Sequence, residues 1–293
     1  MNRYFLFFNF ILVLSCSKSA DIDVPTAPVR LVLDAKVLQG DSATVTLRSS
    51  YPTYEEDEQI WLDSTAKIVL FENGVAVDTM KPTHERQFRY ISRYLTKPNT
   101  NYTVEASYVG FPSVHGSTQT LDKESDILNA EIITKEGETE LHFQLQDRGN
   151  YSNAYLIYVL TDSVPYRSIR YLRMESFDPS VRTFVYDGVG SFDQESSSGI
   201  EFYLSDVEFD GATKNIILRV ADYQWEPYIS FQDSLELVVV EIESLWYEHE
   251  QSKYNQTRSS LGVFSEPARI VQNVENGYGI VRAGRVKTSY IKI

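Results

Sequence analysis

Strict alternation of apolar and polar side chains is the main pattern along this chain, and it predicts β-strands. Residues 43–48 alternate between Ala, Val or Leu and Thr or Arg, and residues 141–146 repeat the pattern with Leu and Phe. A period of two places one face of a strand in a core and the other in water. Segment 101–108 is predicted to be a further strand, closed by a glycine and a proline.

Segment 67–77 predicts a β-hairpin. Its two apolar halves flank Asn73 and Gly74, which tolerate positive φ at both central turn positions. Segments 154–160 and 235–240 are more continuously apolar, which is typical of central strands.

Segment 244–254 is the best candidate for a helix. Ser244 can act as its cap, and no glycine or proline interrupts it, although Trp246 and Tyr247 would fit a strand equally well. The spacing of the other segments predicts a mostly β fold, with two Ig-like β-sandwich domains in tandem and this one short helix near the C-terminus.

A polar segment around residues 121–126 marks the predicted domain boundary. We expect an N-terminal β-sandwich at 28–121 and a C-terminal β-rich domain at 129–293, with a Gly/Ser-rich loop at 187–199. The small, polar residues 16–27 before them predict a flexible tether.

The first fifteen residues predict a signal peptide. Arg3 precedes an apolar run of about eleven residues, which is too short to cross a ~30 Å hydrocarbon layer. Cys16 is the chain's one cysteine, and it follows Ser15 in the sequence Val-Leu-Ser-Cys. This sequence resembles the lipobox of bacterial lipoproteins, which implies cleavage between Ser15 and Cys16 and lipidation of Cys16. The alternative is an ordinary secretory signal beside an incidental cysteine.

Charge and composition exclude some partners. The net charge of −14 argues against nucleic acid, and it also argues against electrostatic docking onto anionic lipid. Aromatic residues make up 13% of the chain, including twenty tyrosines. This content is typical of strands, and the alternative is aromatic platforms for sugars or hydrophobic ligands.

Motifs for catalysis are absent from the sequence. It contains no H-E-x-x-H, G-x-S-x-G, P-loop or Gly-rich dinucleotide turn, and Cys16 alone cannot form a thiolate metal site. The acidic run at 55–58 indicates a solvated loop, and Glu248-His249-Glu250 indicates solvated charge rather than a metal site. We therefore predict no catalytic residue, metal or cofactor, while paired carboxylates for glycoside hydrolysis remain open.

The C-terminal half carries three more specific motifs. They are Ser205-Asp206-Val207-Glu208-Phe209-Asp210-Gly211, then Ser265-Glu266-Pro267, and finally Asn273-Val274-Glu275-Asn276-Gly277-Tyr278-Gly279. Their order, the aromatic start of the predicted helix and the earlier Gln146-Asp147 resemble a family of Bacteroidota outer-membrane lipoproteins catalogued as domain of unknown function 4249. The family usually has an aromatic residue where this chain has Val281-Arg282, which puts the closing contact in doubt.

Local physical chemistry favours a structural role for these motifs over ligand contacts. Asn276, Gly277 and Gly279 allow positive φ, and we expect a turn that returns the last strand to its sheet. Pro267 is expected to end a strand or to set an edge.

The resemblance implies a lipid-anchored, surface-exposed outer-membrane protein. Members of such families are often encoded beside TonB-dependent transporters, so we expect an accessory that binds one of these nutrient transporters. The alternatives are a structural or adhesive surface protein and a hydrolase with an unrecognised carboxylate site.

Five Asp-Ser or Asp-Thr segments resemble the O-glycosylation acceptor of Bacteroidota envelope proteins. The acceptors would be Ser42, Ser64, Thr79, Ser163 and Ser234. The alternative is turn chemistry, because Asp-Ser before a β-former commonly begins a strand.

Overall fold

β-Strands make up most of the computed structural model, which describes residues 28–50, 62, 65–83, 89–122, 125–149, 152–163, 168–184, 197–220, 234–259 and 268–292. The strands within these ranges are β1 Leu31–Leu38, β2 Ser42–Ser49, β3 Lys67–Glu72, β4 Val75–Thr79, β5 Lys81–Pro82, β6 Arg89–Leu95, β7 Asn101–Ser107, β8 Val114–Gln119, β9 Asp126–Lys135, β10 Glu138–Gln146, β11 Asn153–Ser163, β12 Ser168–Tyr171, β13 Met174–Ser176, β14 Val181–Arg182, β15 Ser197–Gly199, β16 Phe202–Ser205, β17 Thr213–Val220, β18 Ser234–Glu243, β19 Val274–Glu275 and β20 Tyr278–Lys292. Helix α1 spans Ser244–Ser259, and Asp206–Glu208 form a 3-10 turn.

The strands form three sheets. The large sheet has ten strands in the order β14-β16-β11-β18-β20-β1-β2-β6-β5, with β12 paired to β11. The N-terminal small sheet has the order β19-β8-β7-β3-β4, and the C-terminal small sheet has the order β15-β13-β17-β10-β9. The predicted mostly β fold is confirmed.

Three buried clusters lie along the large sheet, and two of them are cores that it forms with the small sheets. The third joins β11, β16 and β18 to Trp246 of α1. In the first core, Leu33 and Val45 of the large sheet belong to one buried cluster with Ile68 and Val104 of the N-terminal small sheet. The second core unites β11, β16 and β18 of the large sheet with β10 and β17 of the C-terminal small sheet. Facing sheets with alternating inward residues are the arrangement of a β-sandwich.

Strand β20 contributes to both cores. Its first part runs parallel to β1, and its second part runs antiparallel to β18. Val281 belongs to the first core and Ile291 to the second. Strands from the end of the chain therefore complete the core that is otherwise built from residues 31–114.

Two local predictions are confirmed. The hairpin of β3 and β4 turns at Asn73 and Gly74, with φ of 48° and 80°. Helix α1 begins at Ser244 as predicted and continues five residues further, to Ser259. The prediction that Ser244 caps the helix was wrong, because Ser244 is the first helical residue and its hydroxyl donates to the Ser152 carbonyl at 2.5 Å.

The helix packs through one face. Its buried residues are Trp246, His249 and Ser252, which recur every three positions. Of the helices that the structure describes, none combines the length and the apolar character needed to cross a bilayer.

Candidate functional site

The acidic turn that follows β16 is joined to Asp147, the residue after β10. The Oδ2 atom of Asp147 accepts hydrogen bonds from the backbone amides of Gly149 (2.8 Å) and Gly211 (2.6 Å). Its Oδ1 atom accepts from the Tyr155 hydroxyl and, at 3.5 Å, from the side-chain amide of Asn153. One carboxylate therefore holds two turns that are distant in sequence.

The turn is also stabilised from within. The Ser205 hydroxyl accepts from the Val207 amide at 3.5 Å and caps the 3-10 turn, and the Phe209 amide donates to the Asp206 carbonyl at 2.7 Å. The Phe209 ring stacks on Tyr155 with centroids 5.9 Å apart. The aromatic residue of the motif thus anchors the turn to the second core.

Gly149 and Gly211 make this junction possible. Their φ angles are 65° and 73°, in the left-handed region that favours glycine. A Cβ atom on Gly149 would lie 2.8 Å from the Gly211 Cα. The close contact therefore requires glycine at position 149, whereas Gly211, whose own Cβ would lie 3.4 Å from the Gly149 Cα, is favoured by its positive φ.

Three carboxylates meet at the turn. Asp147, Asp206 and Asp210 each bring one oxygen within 4.8 Å of the others. Calcium takes six to eight oxygen ligands, and both Asp147 oxygens already accept hydrogen bonds, while Asp206 Oδ2 accepts from the Asn153 amide at 3.0 Å. We interpret the cluster as a structural junction.

The protonation behaviour of the two buried acids differs because their donors differ. Burial alone would raise the pKa of Asp147, but the Gly211 amide, the Tyr155 hydroxyl and the Gly149 amide hold it below its usual value. The pKa of Asp206 is raised, first by burial and then by the charges of Asp147 and Asp210.

Glu241 extends this polar network into the second core. It accepts from the Asn153 side-chain amide at 2.6 Å and from the Ser125 amide at 3.2 Å, and burial raises its pKa. A cleft of about 10 Å³ beside it is lined by Tyr155 and Lys287, among others. This volume holds about one water molecule and no organic ligand.

The side chain of Asn273, the first residue of the closing motif, makes hydrogen bonds to the backbone of two strands. Its side-chain amide donates to the carbonyls of Ser117 and Val281, both at 2.8 Å, and its Oδ1 accepts from the Val281 amide at 2.8 Å. The residue thus ties β20 to β8.

The glycines of this motif act in two different ways. Asn276 and Gly279 have positive φ, 61° and 113°, as predicted. Gly277 is not among the positive-φ glycines, and its Cβ would lie 2.6 Å from the Leu31 carbonyl oxygen. It is space, rather than backbone conformation, that requires glycine there.

Arg282 lies on β20, in the Val281-Arg282 pair that follows the closing motif. It forms ion pairs of 2.8 Å with Asp34 of β1 and with Glu250 of α1. Its guanidinium also lies 4.8 Å from the centroid of the Trp246 ring. The closing contact is therefore a cation–aromatic contact that docks the helix on the large sheet.

The predicted solvated charge at Glu248-His249-Glu250 is corrected by this packing. Glu250 pairs with Arg282, and only 14% of its side chain is exposed. His249 is buried, its Nδ1 lies 2.5 Å from the Val271 carbonyl, and burial lowers its pKa. These two side chains serve helix docking.

Several predicted residues lie outside the described ranges. They are Ser15, Cys16, Ser64, Ser265, Glu266 and Pro267. Among the proposed glycosylation acceptors, Thr79 at the end of β4 and Ser234 at the start of β18 are exposed, while Ser42 is half-buried. Ser163 ends β11.

An exposed aromatic surface on the large sheet escaped the sequence analysis. Tyr171 on β12 and Tyr290 on β20 are 51% and 73% exposed, and the half-buried Tyr158 on β11 lies with its ring centroid 5.3 Å from that of Tyr171. The strand register places Tyr290 opposite Glu236, which lies opposite Leu160. We call Tyr158, Tyr171 and Tyr290 the tyrosine patch. Only the strand pairing reveals it, because the three residues are distant in sequence.

Comparison with known proteins adds little. No family model matches the chain, and no curated protein matches it. It is similar to a solved mutant of Salmonella alpha-2-macroglobulin (TM-score 0.26, 11% identity, 94% of this chain and 15% of that one). It is also similar to native alpha-2-macroglobulin from Escherichia coli (TM-score 0.21, 12% identity, 73% of this chain and 66% of that one) and to the collagen adhesin of S. aureus (TM-score 0.18, 7% identity, 92% and 95%). Likeness at these scores carries no argument about function.

Proposed function

We propose that this chain is a lipid-anchored protein of the outer-membrane surface that acts by binding, as an accessory partner of a TonB-dependent nutrient transporter. The lipobox ending at Cys16 and the resemblance to the outer-membrane lipoprotein family support the location and the partner. A lipid anchor holds such a protein at high local concentration beside a membrane partner.

The tyrosine patch is the observation that carries the binding role. Tyrosine offers a large apolar ring with a hydroxyl that stays hydrated, and aromatic residues are enriched in protein interfaces. The acids Asp147 and Asp206 are, by contrast, engaged inside the fold, since both accept hydrogen bonds from backbone amides. An exposed surface is therefore the better candidate for partner contact.

Co-purification tests the partnership. We expect a transporter to co-purify with the wild-type protein from detergent-solubilised membranes and to be lost from the double variant Tyr171→Ala/Tyr290→Ala. The matched control is Val75→Ala/Val109→Ala, which removes exposed apolar side chains elsewhere on the surface. Loss of the transporter in both variants, or a wild-type protein that runs alone, contradicts the proposal. Gene deletion separates this function from the adhesive alternative. A deletion strain that loses attachment but still grows on every nutrient would favour adhesion.

The anchor has a separate test. Cys16→Ser is expected to move the chain from the membrane fraction to the soluble fraction of cells, because the acylated residue is removed. An unchanged membrane fraction contradicts lipidation at Cys16. Intact mass of the native mature protein tests O-glycosylation at the same time, and a mass equal to peptide plus lipid contradicts it.

A further inference from the structure

Basic side chains are concentrated on the outward face of the large sheet, along β1, β2, β5 and β6. The outward positions of these strands are Val32, Asp34, Lys36, Leu38, Ser42, Thr44, Thr46, Arg48, Lys81, Arg89, Ile91, Arg93 and Leu95. Arg30, just before β1, lies on the same side, with its guanidinium 5.6 Å from the centroid of the Tyr278 ring. We call Arg30, Lys36, Arg48, Lys81, Arg89 and Arg93 the basic face.

The basic face is not neutralised by the described part of the chain. Its six cations share these outward positions with one carboxylate, Asp34, which pairs with Arg282 at 2.8 Å. None of the six side chains forms an ion pair with a described residue. The pKa of Lys36 is lowered, first by burial and then by Arg282, whereas Asp34 and Glu201 raise it. Its Nζ atom lies 5.8 Å from the centroid of the Trp246 ring, so Lys36 is the member of the basic face that lies against α1.

The net charge of −14 is a sum over the whole chain and does not reveal this local excess of basic residues. The chain has 41 acidic and 27 basic residues, so the rest of its surface is strongly acidic. An anionic surface therefore attracts the molecule through the basic face and repels it elsewhere. A negative net charge therefore does not prevent this face from binding anionic lipid.

The strand register spreads the cations instead of gathering them around one point. Lys36 lies opposite Thr44, Thr44 opposite Ile91, and Ile91 opposite Lys81, so a single row crosses four strands. Such a distribution matches an extended array of negative charges better than a single small anion. Ile91 and Leu95, 36% and 60% exposed, add aliphatic side chains between the cations.

We propose that the basic face docks on the anionic phosphate headgroups of a membrane surface, with Ile91 and Leu95 entering the headgroup layer. Basic side chains near an anionic bilayer each add to binding within a Debye length of the surface. Exposed aliphatic side chains add apolar contact that a purely polar anionic partner does not use.

The location of this contact rests on the proposed function, because Cys16 would supply the anchored membrane. The predicted tether of residues 16–27 reaches at most about 40 Å when extended. It enters the fold at the residues just before Arg30, so an anchored chain keeps the basic face within reach of the membrane.

Vesicle co-sedimentation tests docking without the anchor. The mature chain, residues 16–293, carries Cys16→Ser so that no acyl chain contributes. We expect binding to phosphatidylcholine vesicles that contain phosphatidylglycerol, no binding to phosphatidylcholine alone, and release at high salt. The double variant Arg48→Glu/Arg89→Glu should bind at least about tenfold more weakly, since each basic side chain contributes about fivefold.

The matched control is Lys67→Glu/Lys135→Glu, which has the same net charge but changes exposed residues on the two small sheets. It should retain most of the binding. Equal loss in both variants, or equal binding to both kinds of vesicle, overturns the proposal. Binding to dextran sulfate without binding to anionic vesicles also overturns it, in favour of an anionic polymer.

A second variant guards against misfolding. Arg48→Gln/Arg89→Gln removes the charges without introducing acids, and thermal unfolding is measured for every variant. A folded Gln variant that binds like the wild type overturns the proposal. Failure of lipidation at Cys16 in cells leaves the vesicle result unchanged, so the two hypotheses fail separately.

Discussion

Glu243 lies where β20 passes from one core to the other. Its Oε1 atom accepts hydrogen bonds from the Thr118 hydroxyl (2.7 Å) and the Ala283 amide (3.0 Å). Burial raises its pKa to about 7. The folded state therefore favours the protonated acid, and its stabilising contribution is complete below pH 4.5 and is lost as the pH rises through about 7.

Glu243→Gln is expected to remove this pH dependence. Glutamine keeps an oxygen acceptor for both donors but never ionises, so the variant should be more stable than the wild type at pH 8 by about 1–3 kcal/mol. At pH 4.5 the two proteins should be nearly equal. Urea unfolding at both pH values measures this, with the exposed Glu105→Gln as a control that should follow the wild type. A stability difference that does not change with pH contradicts the prediction.

Gly279 is the glycine with the closest contact in the closing motif. A Cβ atom there would lie 2.0 Å from the Leu33 carbonyl oxygen, at a φ of 113°. We expect Gly279→Ala to lower the free energy of unfolding by about 3 kcal/mol or more, because both backbone strain and overlap oppose it. Gly137→Ala is the control, since Gly137 also has positive φ but nothing lies within 4 Å of its Cβ position. Gly137→Ala should lower the free energy of unfolding by about 1 kcal/mol. Equal shifts of the urea midpoint in the two variants would contradict the predicted steric overlap at Gly279.

At the scale of elements, Arg282 links α1 to the large sheet through its ion pairs with Glu250 and Asp34. Arg282→Met leaves Glu250 buried without its sheet partner, and breaking such a pair costs about 3–5 kcal/mol. We expect faster amide hydrogen exchange throughout α1. Lys253→Met removes the other, half-exposed partner of the same carboxylate and should cost less than about 1 kcal/mol. Unchanged exchange in the Arg282 variant would show that aromatic packing alone holds the helix.

Elements that depend on near neighbours could be predicted from the sequence, and contacts between distant elements could not. The Asn73-Gly74 hairpin follows from the φ preferences of two adjacent residues, and alternation identifies which residues of a strand share a face. Alternation does not say which strands are neighbours. The parallel pairing of β1 with β20 and the contact of Arg282 with Asp34 therefore became visible only in the fold.

The same reason explains what was missed at the candidate sites. Asp147 and the turn at Gly211 lie 64 residues apart, so their hydrogen bond could not be predicted from spacing. The basic face depends on register across β1, β2, β5 and β6, whereas net charge averages it away. A sequence signal did exist for the turn itself, in the glycine that ends Ser205–Gly211.

At the scale of the whole molecule, the outward face of the large sheet carries both proposed surfaces. Arg282 and Tyr290 are eight residues apart on β20, and an even separation keeps them on one side of the strand. The basic face lies beside the first half of β20 and the tyrosine patch at its far end. Both proposed surfaces therefore lie on the side of the large sheet against which α1 packs, since Trp246 is buried there with Val238 and Val240.

Because β20 contributes to both cores, we expect the two cores to unfold together. It lies between β18 and β1 in the large sheet, and Val281 and Ile291 serve different cores. A substitution that strains its first half should therefore also lower the stability of the second core, because the same central strand is hydrogen-bonded into both halves of the sheet. We expect Gly279→Ala to reduce native-state hydrogen-exchange protection in β10 as much as in β7. Protection of β10 at the wild-type level while β7 opens would mean that the halves are independent units, as the predicted division at 121–129 implies. Equal loss in both strands would mean that the chain closes its two sandwiches in a single cooperative step, with β20 as the element that couples them.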